Sequence, residues 1–268
     1  GFQKGDLIIL SARPSMGKTA LALNFAINSI IKRNGKGTVA IFSVEMPKEQ
    51  LMRRILSSQC QINSADLSRA IADESKADKI QAVFQRLSSY NLFIDDSSAI
   101  KLSDIQAKTR NLKKQHDDLH LVVVDYIGLI TPDVKSKKET SRSLEIGAIS
   151  AALKAVARDF KCPLLILSQL NRSVEGRSDK IPQMSDLRES GSIEQDADVV
   201  MFIHRPDYGK MQDAANSSQG TDDPSATSDS AVSLIIAKNR NGRLATIDFM
   251  FQKHIGRFVE MDNVHQPQ

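Results

Sequence analysis

The chain has 268 residues, 41% of them hydrophobic and 25% charged, with a net charge of +4. That length and composition predict one large α/β domain with a buried core, and the small net charge permits a polyanionic partner without requiring one. No apolar run approaches the ~18 residues of a membrane span, no leader segment is visible, and Cys60 and Cys162 lack the spacing of a metal site or redox pair.

The two cysteines read as buried, reduced thiols of a cytoplasmic protein, and the lack of a long apolar run predicts no membrane partner. The opening Gly1-Phe2-Gln3, without Met, predicts a piece of a longer protein.

Short apolar runs alternate with helical stretches. Leu7 to Leu10 reads as a strand, and Thr19 to Arg33 as a helix with Leu21, Phe25 and Ala26 near helical spacing. Val39 to Val44 is the next strand, and Pro47 suits the first turn of the helix after it. Leu121 to Val124 is wholly apolar, as expected of a strand covered on both faces. A basic segment from Thr131 to Ser141 follows, carrying Lys135, Lys137 and Lys138, and then a long helix from Ser143 to Asp159. Leu164 to Leu167, Val199 to Ile203 and Val232 to Ala237 are further strands, and Thr246 to Phe251 is an edge hairpin strand. Between Pro206 and Ser230 the sequence is polar and small, which predicts a mobile insertion. The whole is expected to be a mainly parallel twisted sheet flanked by helices, with an antiparallel edge near the C-terminus.

Ala12-Arg13-Pro14-Ser15-Met16-Gly17-Lys18-Thr19, followed by Ala20, lies between a strand and a helix and matches a Walker A loop, with Ala12 at the usual first glycine. Backbone N–H groups at a helix N-terminus hold phosphate oxygens. Gly17 allows close approach, Lys18 reaches the terminal phosphates, and the Thr19 hydroxyl ligates Mg²⁺. Asp125, ending the Val122-Val123-Val124 strand, is the natural second metal ligand. The expected cofactors are therefore ATP and Mg²⁺.

Glu45 follows the second strand and can polarise an attacking water, or can simply favour the start of the next helix. Gln169 ends the Ile166-Leu167-Ser168 strand, either as a phosphate sensor or as a solvated turn residue. The lysines at 135, 137 and 138 fit backbone phosphates of a single strand, or a solvated face.

These motifs, together with Phe42-Ser43-Val44-Glu45-Met46, Val123-Val124-Asp125-Tyr126, Leu167-Ser168-Gln169-Leu170-Asn171-Arg172, Ser185-Asp186-Leu187-Arg188-Glu189-Ser190-Gly191, Ile193-Glu194-Gln195-Asp196-Ala197-Asp198 and Ala237-Lys238-Asn239-Arg240-Asn241-Gly242, occur in one order along nearly the whole chain. In that order they resemble the DnaB family of RecA-like hexameric helicases. The stretch from Ser185 to Asp198 is the most specific.

The resemblance implies a single RecA-like ATPase domain over residues 1–268, lacking the family's N-terminal domain and linker helix. It implies that Glu45 is the catalytic base and Gln169 the γ-phosphate sensor. Lys238 and Arg240 would reach a neighbouring subunit's nucleotide. Arg188, Glu189 and Gly191 would face a channel carrying single-stranded DNA. The implied function is ATP-driven unwinding at the replication fork by a homohexamer, with primase and a helicase loader as further partners, in a bacterial cytoplasm or nucleoid or encoded by a phage. The rival readings are a RecA-like recombinase or clock-type ATPase, a nucleotide-gated binding subunit, and a small-molecule P-loop kinase. The Ser185 to Asp198 stretch disfavours the first. The joint presence of Glu45, Asp125 and Arg240 disfavours the second. The third lacks any acceptor-substrate signature.

Overall fold

The computed structural model describes residues 1–130, 142–177, 179–187, 190–206 and 229–261. The expected basic segment with Lys135, Lys137 and Lys138, the candidate DNA contacts Arg188 and Glu189, and nearly all of the polar insertion lie outside the described residues.

Nine strands form one sheet: β1 (Leu7–Ala12), β2 (Thr38–Ser43), β3 (Asn91–Asp95), β4 (Leu119–Asp125), β5 (Leu164–Gln169), β6 (Val199–His204), β7 (Ser230–Asn239), β8 (Ala245–Gln252) and β9 (Arg257–Glu260). Their order is β3-β2-β4-β5-β1-β6-β7-β8-β9. The first six strands in that order are parallel, and β7, β8 and β9 extend them antiparallel. The predicted architecture is therefore present. Two strands escaped the sequence reading, β3 and β9, and they are the two edges, so β8 is an interior strand rather than the edge.

The helices are α1 (Lys18–Ile31), α2 (Lys48–Cys60), α3 (Leu67–Ala70), α4 (Glu74–Ser88), α5 (Leu102–Gln115), α6 (Arg142–Phe160) and α7 (Ser190–Asp196). They fall on both faces because each central strand is apolar at nearly every position, and its side chains point alternately to either side. Ile8 and Leu10 of β1, Ile41 of β2, Val123 of β4 and Leu165 of β5 join a core with Leu21 and Ile27 of α1 and Ile55 of α2. Leu7, Ile9, Phe42, Val124 and Ile166 point the other way and pack with Ile105 of α5 and Ile149, Leu153 and Val156 of α6. Most of these side chains are fully buried, each worth about 1.5–3 kcal/mol relative to exposure. Among the described residues no helix is long and apolar enough to cross a membrane.

The register of the parallel strands decides where polar side chains gather. Ala12 pairs with Gln169, Ser43 with Asp125, and Val124 with Ile166. The C-terminal ends of β1, β2, β4 and β5 are thus nearly level, and the loops beyond them share one rim of the sheet, where ligands of open parallel sheets collect.

Candidate functional site: a phosphate-binding loop and its rim

The loop after β1 turns through Ser15 at φ 63° and Gly17 at φ 93°, then enters α1 at Lys18. Positive φ at both positions turns successive backbone groups inward, the geometry of an anion-binding concavity. At Gly17 a second requirement is visible. A Cβ there would lie 3.0 Å from Phe258 Cζ and 3.1 Å from Phe251 Cζ. These two rings stack on one another, with centroids 4.3 Å apart, beneath the loop. The glycine therefore accommodates an aromatic pair from β8 and β9 as well as any ligand.

A cavity of about 570 Å³ opens above the loop. Arg13, Pro14, Ser15, Gly17, Lys18, Thr19 and Ala20 line it, and Glu45 and Gln169 join them from the ends of β2 and β5. Expected members Ala12 and Met16 are not part of that lining: Ala12 is buried in β1 and Met16 packs toward the core. The Met16 N–H is also turned back, onto the Arg13 carbonyl at 3.4 Å.

Burial pushes the Lys18 ammonium below its ordinary pKa, while Asp125 and Glu45 pull it partly back. Its Nζ lies 5.1 Å from the centre of the Tyr126 ring. The Thr19 hydroxyl donates to Asp125 Oδ2 at 2.7 Å. Asp125 is 2% exposed, and its other oxygen, Oδ1, is buried with no hydrogen-bond partner among the described residues. An orphaned carboxylate oxygen beside a threonine hydroxyl is a donor set that fits a hard, oxygen-seeking dication such as Mg²⁺. Among the described residues no group of three His, Cys, Asp or Glu side chains could hold a metal by itself, so an ion here would need oxygens from a ligand as well.

Several residues that sequence reasoning missed surround the same cavity. Arg54 of α2 lines it, and its guanidinium is held below its usual pKa by burial and partly restored by Asp125 and Glu45. No sequence signal marks Arg54, since one arginine on a helix reads as surface charge. Lys253, His254 and Gly256, in the β8–β9 turn, close the far wall. Arg205, at the end of β6, is 5% exposed; it donates to the Ser15 carbonyl at 3.4 Å and to Ser230 Oγ at 2.8 Å. Its guanidinium carbon lies 5.7 Å from the Phe251 ring centre, so it braces the loop from behind. Arg13 reaches sideways to Glu175 at 2.7 Å and to the Leu170 carbonyl at 3.0 Å.

The chain beyond Gln169 returns to pair with itself. Leu170 bridges Leu187, and Asn171 N–H donates to the Asp186 carbonyl at 2.8 Å. The Asp186 carboxylate is nearly buried and accepts from Arg177 and from Gln183 N–H at 2.7 Å. The end of β5 is thereby fixed to the segment leading to 188–191. Gly191 lies in α7 and is exposed.

Lys238 and Arg240 are not at the cavity. Asn239 of β7 and Ile8 of β1 both pair with Val199, so these cations sit at the opposite end of the sheet. Four residue steps of β1 separate Ile8 from Ala12, about 13 Å of strand. Both cations face one neighbourhood as alternation predicts, Lys238 Nζ donating to the Glu194 carbonyl at 2.6 Å and Arg240 pairing with Asp198 at 3.4 Å.

A family model described as the DnaB-like helicase C-terminal domain matches residues 1–260. The replicative DNA helicase DnaB of Geobacillus stearothermophilus is 44% identical over 262 residues, covering 98% of this chain and 54% of that protein. The replicative DNA helicase DnaC of Bacillus subtilis is 42% identical with the same coverage. The chain spans about half the length of the curated relatives it matches. Among solved structures, one described as an ATPase domain superposes with a TM-score of 0.84 at 34% identity, covering 98% of this chain and 87% of that one. A DnaB-like replicative helicase, described with its interactions with primase, gives 0.83 at 34% identity, covering 98% and 59%. On its motifs, its fold and these likenesses, the chain belongs to the DnaB-like helicase C-terminal domain family.

Proposed function

We propose that this domain is the ATP-hydrolysing motor of a replicative DNA helicase, working at subunit interfaces of a homohexameric ring that translocates on single-stranded DNA and unwinds duplex at the fork. The observation that carries the reading is the separation just described: one chain presents a phosphate-binding loop at one end of its sheet and a cation pair at the other. About 13 Å or more of rigid strand prevents Lys238 and Arg240 from serving their own loop. Cations placed so cannot complete their own site, which supports an ATPase completed in trans and therefore dependent on assembly.

Within the cavity, the loop backbone and Lys18 bind the phosphates. Thr19 and Asp125 would hold Mg²⁺, which when bound neutralises charge developing on them. Glu45 stands at the rim as the base that orients and deprotonates water. Gln169, at the end of β5, senses the terminal phosphate, and the Leu170–Leu187 bridge carries its position toward 188–191. Arg188, Glu189 and Gly191, with Lys135, Lys137 and Lys138, are the proposed DNA contacts, tracking the backbone without reading sequence. Primase and a loader are further proposed partners in a bacterial or phage-infected cytoplasm.

The test is steady-state phosphate release by the full-length protein, with and without single-stranded DNA, at several protein concentrations. The reading expects a DNA-stimulated rate per subunit that rises with concentration until the ring is complete. Mixing Arg240→Ala with Glu45→Gln protein should restore activity lost in each alone, because some interfaces then pair an intact Glu45 with an intact Arg240. A concentration-independent rate with no rescue on mixing would refute the assignment in trans.

A further inference from the structure

Asp198 lies between α7 and β6, outside the cavity, and is 4% exposed. Its Oδ2 accepts the Leu7 N–H of β1 at 2.8 Å and the Lys154 ammonium of α6. Its Oδ1 faces Arg240 Nη1 at 3.4 Å, and its main-chain carbonyl accepts the Arg240 N–H at 2.8 Å. Lys154 is held independently by the Gly5 carbonyl at 2.9 Å. Burial raises the carboxyl's pKa, but Lys154, the Leu7 N–H and Arg240 outweigh it and hold Asp198 below its ordinary value.

Each half of this carboxylate has its own partner. One oxygen is committed to fixed groups inside the fold, and among the described residues the other is committed only to a cation whose side chain is half exposed. A buried carboxylate with a single counter-ion would be stranded if that cation left. Asp198 still keeps partners, because the β1 backbone and Lys154, which also faces Asp6, remain. Lys238 is seated beside it on a carbonyl near the C-terminal end of α7, where unpaired carbonyls and the helix dipole favour a cation.

We propose that Asp198 is a positioning residue for Arg240, seating the guanidinium at the outer end of the β1–β6 pair and releasing it to the neighbour's phosphates while Lys154 and the Leu7 N–H stay paired with the carboxylate. This rests on the reading that Arg240 acts in trans. Asp198 is not part of the lining of its own subunit's cavity. It restricts where the Arg240 chain begins and so reduces the search that the finger makes for each turnover.

The decisive experiment uses full-length, assembled protein carrying Asp198→Asn, which keeps the shape and an acceptor for Leu7 but removes the charge. The expected result is a fall in kcat of several-fold to tenfold, with KM and the affinity for a fluorescent ATP analogue within twofold of wild type. A merely structural defect in β1 would damage the variant's own phosphate loop. The readout that separates the two is mixing with Glu45→Gln protein. A subunit that carries Asp198→Asn and an intact Glu45, completed by a finger from a Glu45→Gln subunit, should turn over at the wild-type rate per site. Asp198→Glu keeps the charge, displaces the guanidinium by one methylene, and should show the same deficit and the same rescue if Asp198→Asn does not assemble. Unchanged kcat in both variants, or a deficit that mixing does not rescue, overturns the proposal. Arg240→Ala, mixed in the same way, is the control. If its deficit is not rescued, the trans reading itself fails; if it is rescued and that of Asp198→Asn is not, only the role of Asp198 fails.

Discussion

Replacing Gly17 with alanine tests how the phosphate loop is held, without any ligand. The backbone at this position has φ 93°, where an L-residue costs roughly 1–2 kcal/mol. The new Cβ would also stand 3.0 Å from Phe258 Cζ and 3.1 Å from Phe251 Cζ. Neither ring can retreat freely, since both are buried and stacked on one another. Overpacking of this kind adds about 1–3 kcal/mol. The two contributions together predict a loss of about 2–5 kcal/mol. At about 2–4 °C per kcal/mol for a domain of this size, the unfolding midpoint should fall by roughly 4–20 °C in nucleotide-free calorimetry. A second variant separates the causes. Adding Phe258→Leu to Gly17→Ala removes the obstructing ring tip but leaves the backbone strain, so the double variant should lose less than the two singles combined, with a coupling of about 1 kcal/mol or more. A midpoint within a degree of wild type for Gly17→Ala, or strict additivity in the cycle, would refute the contact argument.

Three further expectations can be checked directly. Glu45→Gln should bind nucleotide like wild type and lose turnover in steady-state assays; loss of binding would make Glu45 structural. Burial pushes the Cys162 thiol up to about 12 and raises that of Cys60, so neither should react with iodoacetamide at about pH 8 until the protein unfolds, and rapid labelling of the native state would contradict their burial. Burial acts to raise the Asp186 pKa, but the bonds from Arg177 and Gln183 win and hold it below its ordinary value. A carboxyl depressed in the fold contributes stability that is fully present above about pH 3.9 and is lost as pH falls through its lower folded value. Urea midpoints measured from about pH 6 to 3 should therefore fall more steeply for wild type than for Asp186→Asn, and parallel curves would exclude the effect.

The parts of the fold that were legible in the sequence are those where composition alone determines burial. β1, β2, β4, β5 and β6 are apolar at nearly every position, so their existence and their polar terminal residues could be read directly. β3 could not, because Asn91 and Asp95 bracket a five-residue edge strand only partly covered. α4 buries just Val83 and Leu87, but with Ile80 and Phe84 they fall at helical spacing, so this helix was legible and was overlooked. Within the site, Lys18, Thr19, Asp125 and Gln169 end a strand or open a helix, Glu45 follows a strand, and each could be proposed one by one. Arg54, Arg205 and the Phe251–Phe258 stack could not, since their places depend on contacts between segments far apart in the chain. The resting partners of Lys238 and Arg240 were equally hidden, because nothing local ties residue 240 to residue 198.

The register of β1, β6 and β7 makes the central sheet a lever. Its short arm carries the phosphate loop, and its far tip, about 13 Å away, carries Arg240. A rigid rotation of about 5° about the loop sweeps that tip by about 1 Å, and a misplacement of that size at a reacting centre costs on the order of 100-fold in rate. If the cation pair serves an adjacent subunit, a tilt too small to break a single contact within the sheet is enough to switch the next site on or off. Large domain closures are then unnecessary for firing in turn around a ring. On that reading a stiff sheet, rather than a flexible hinge, would set the timing.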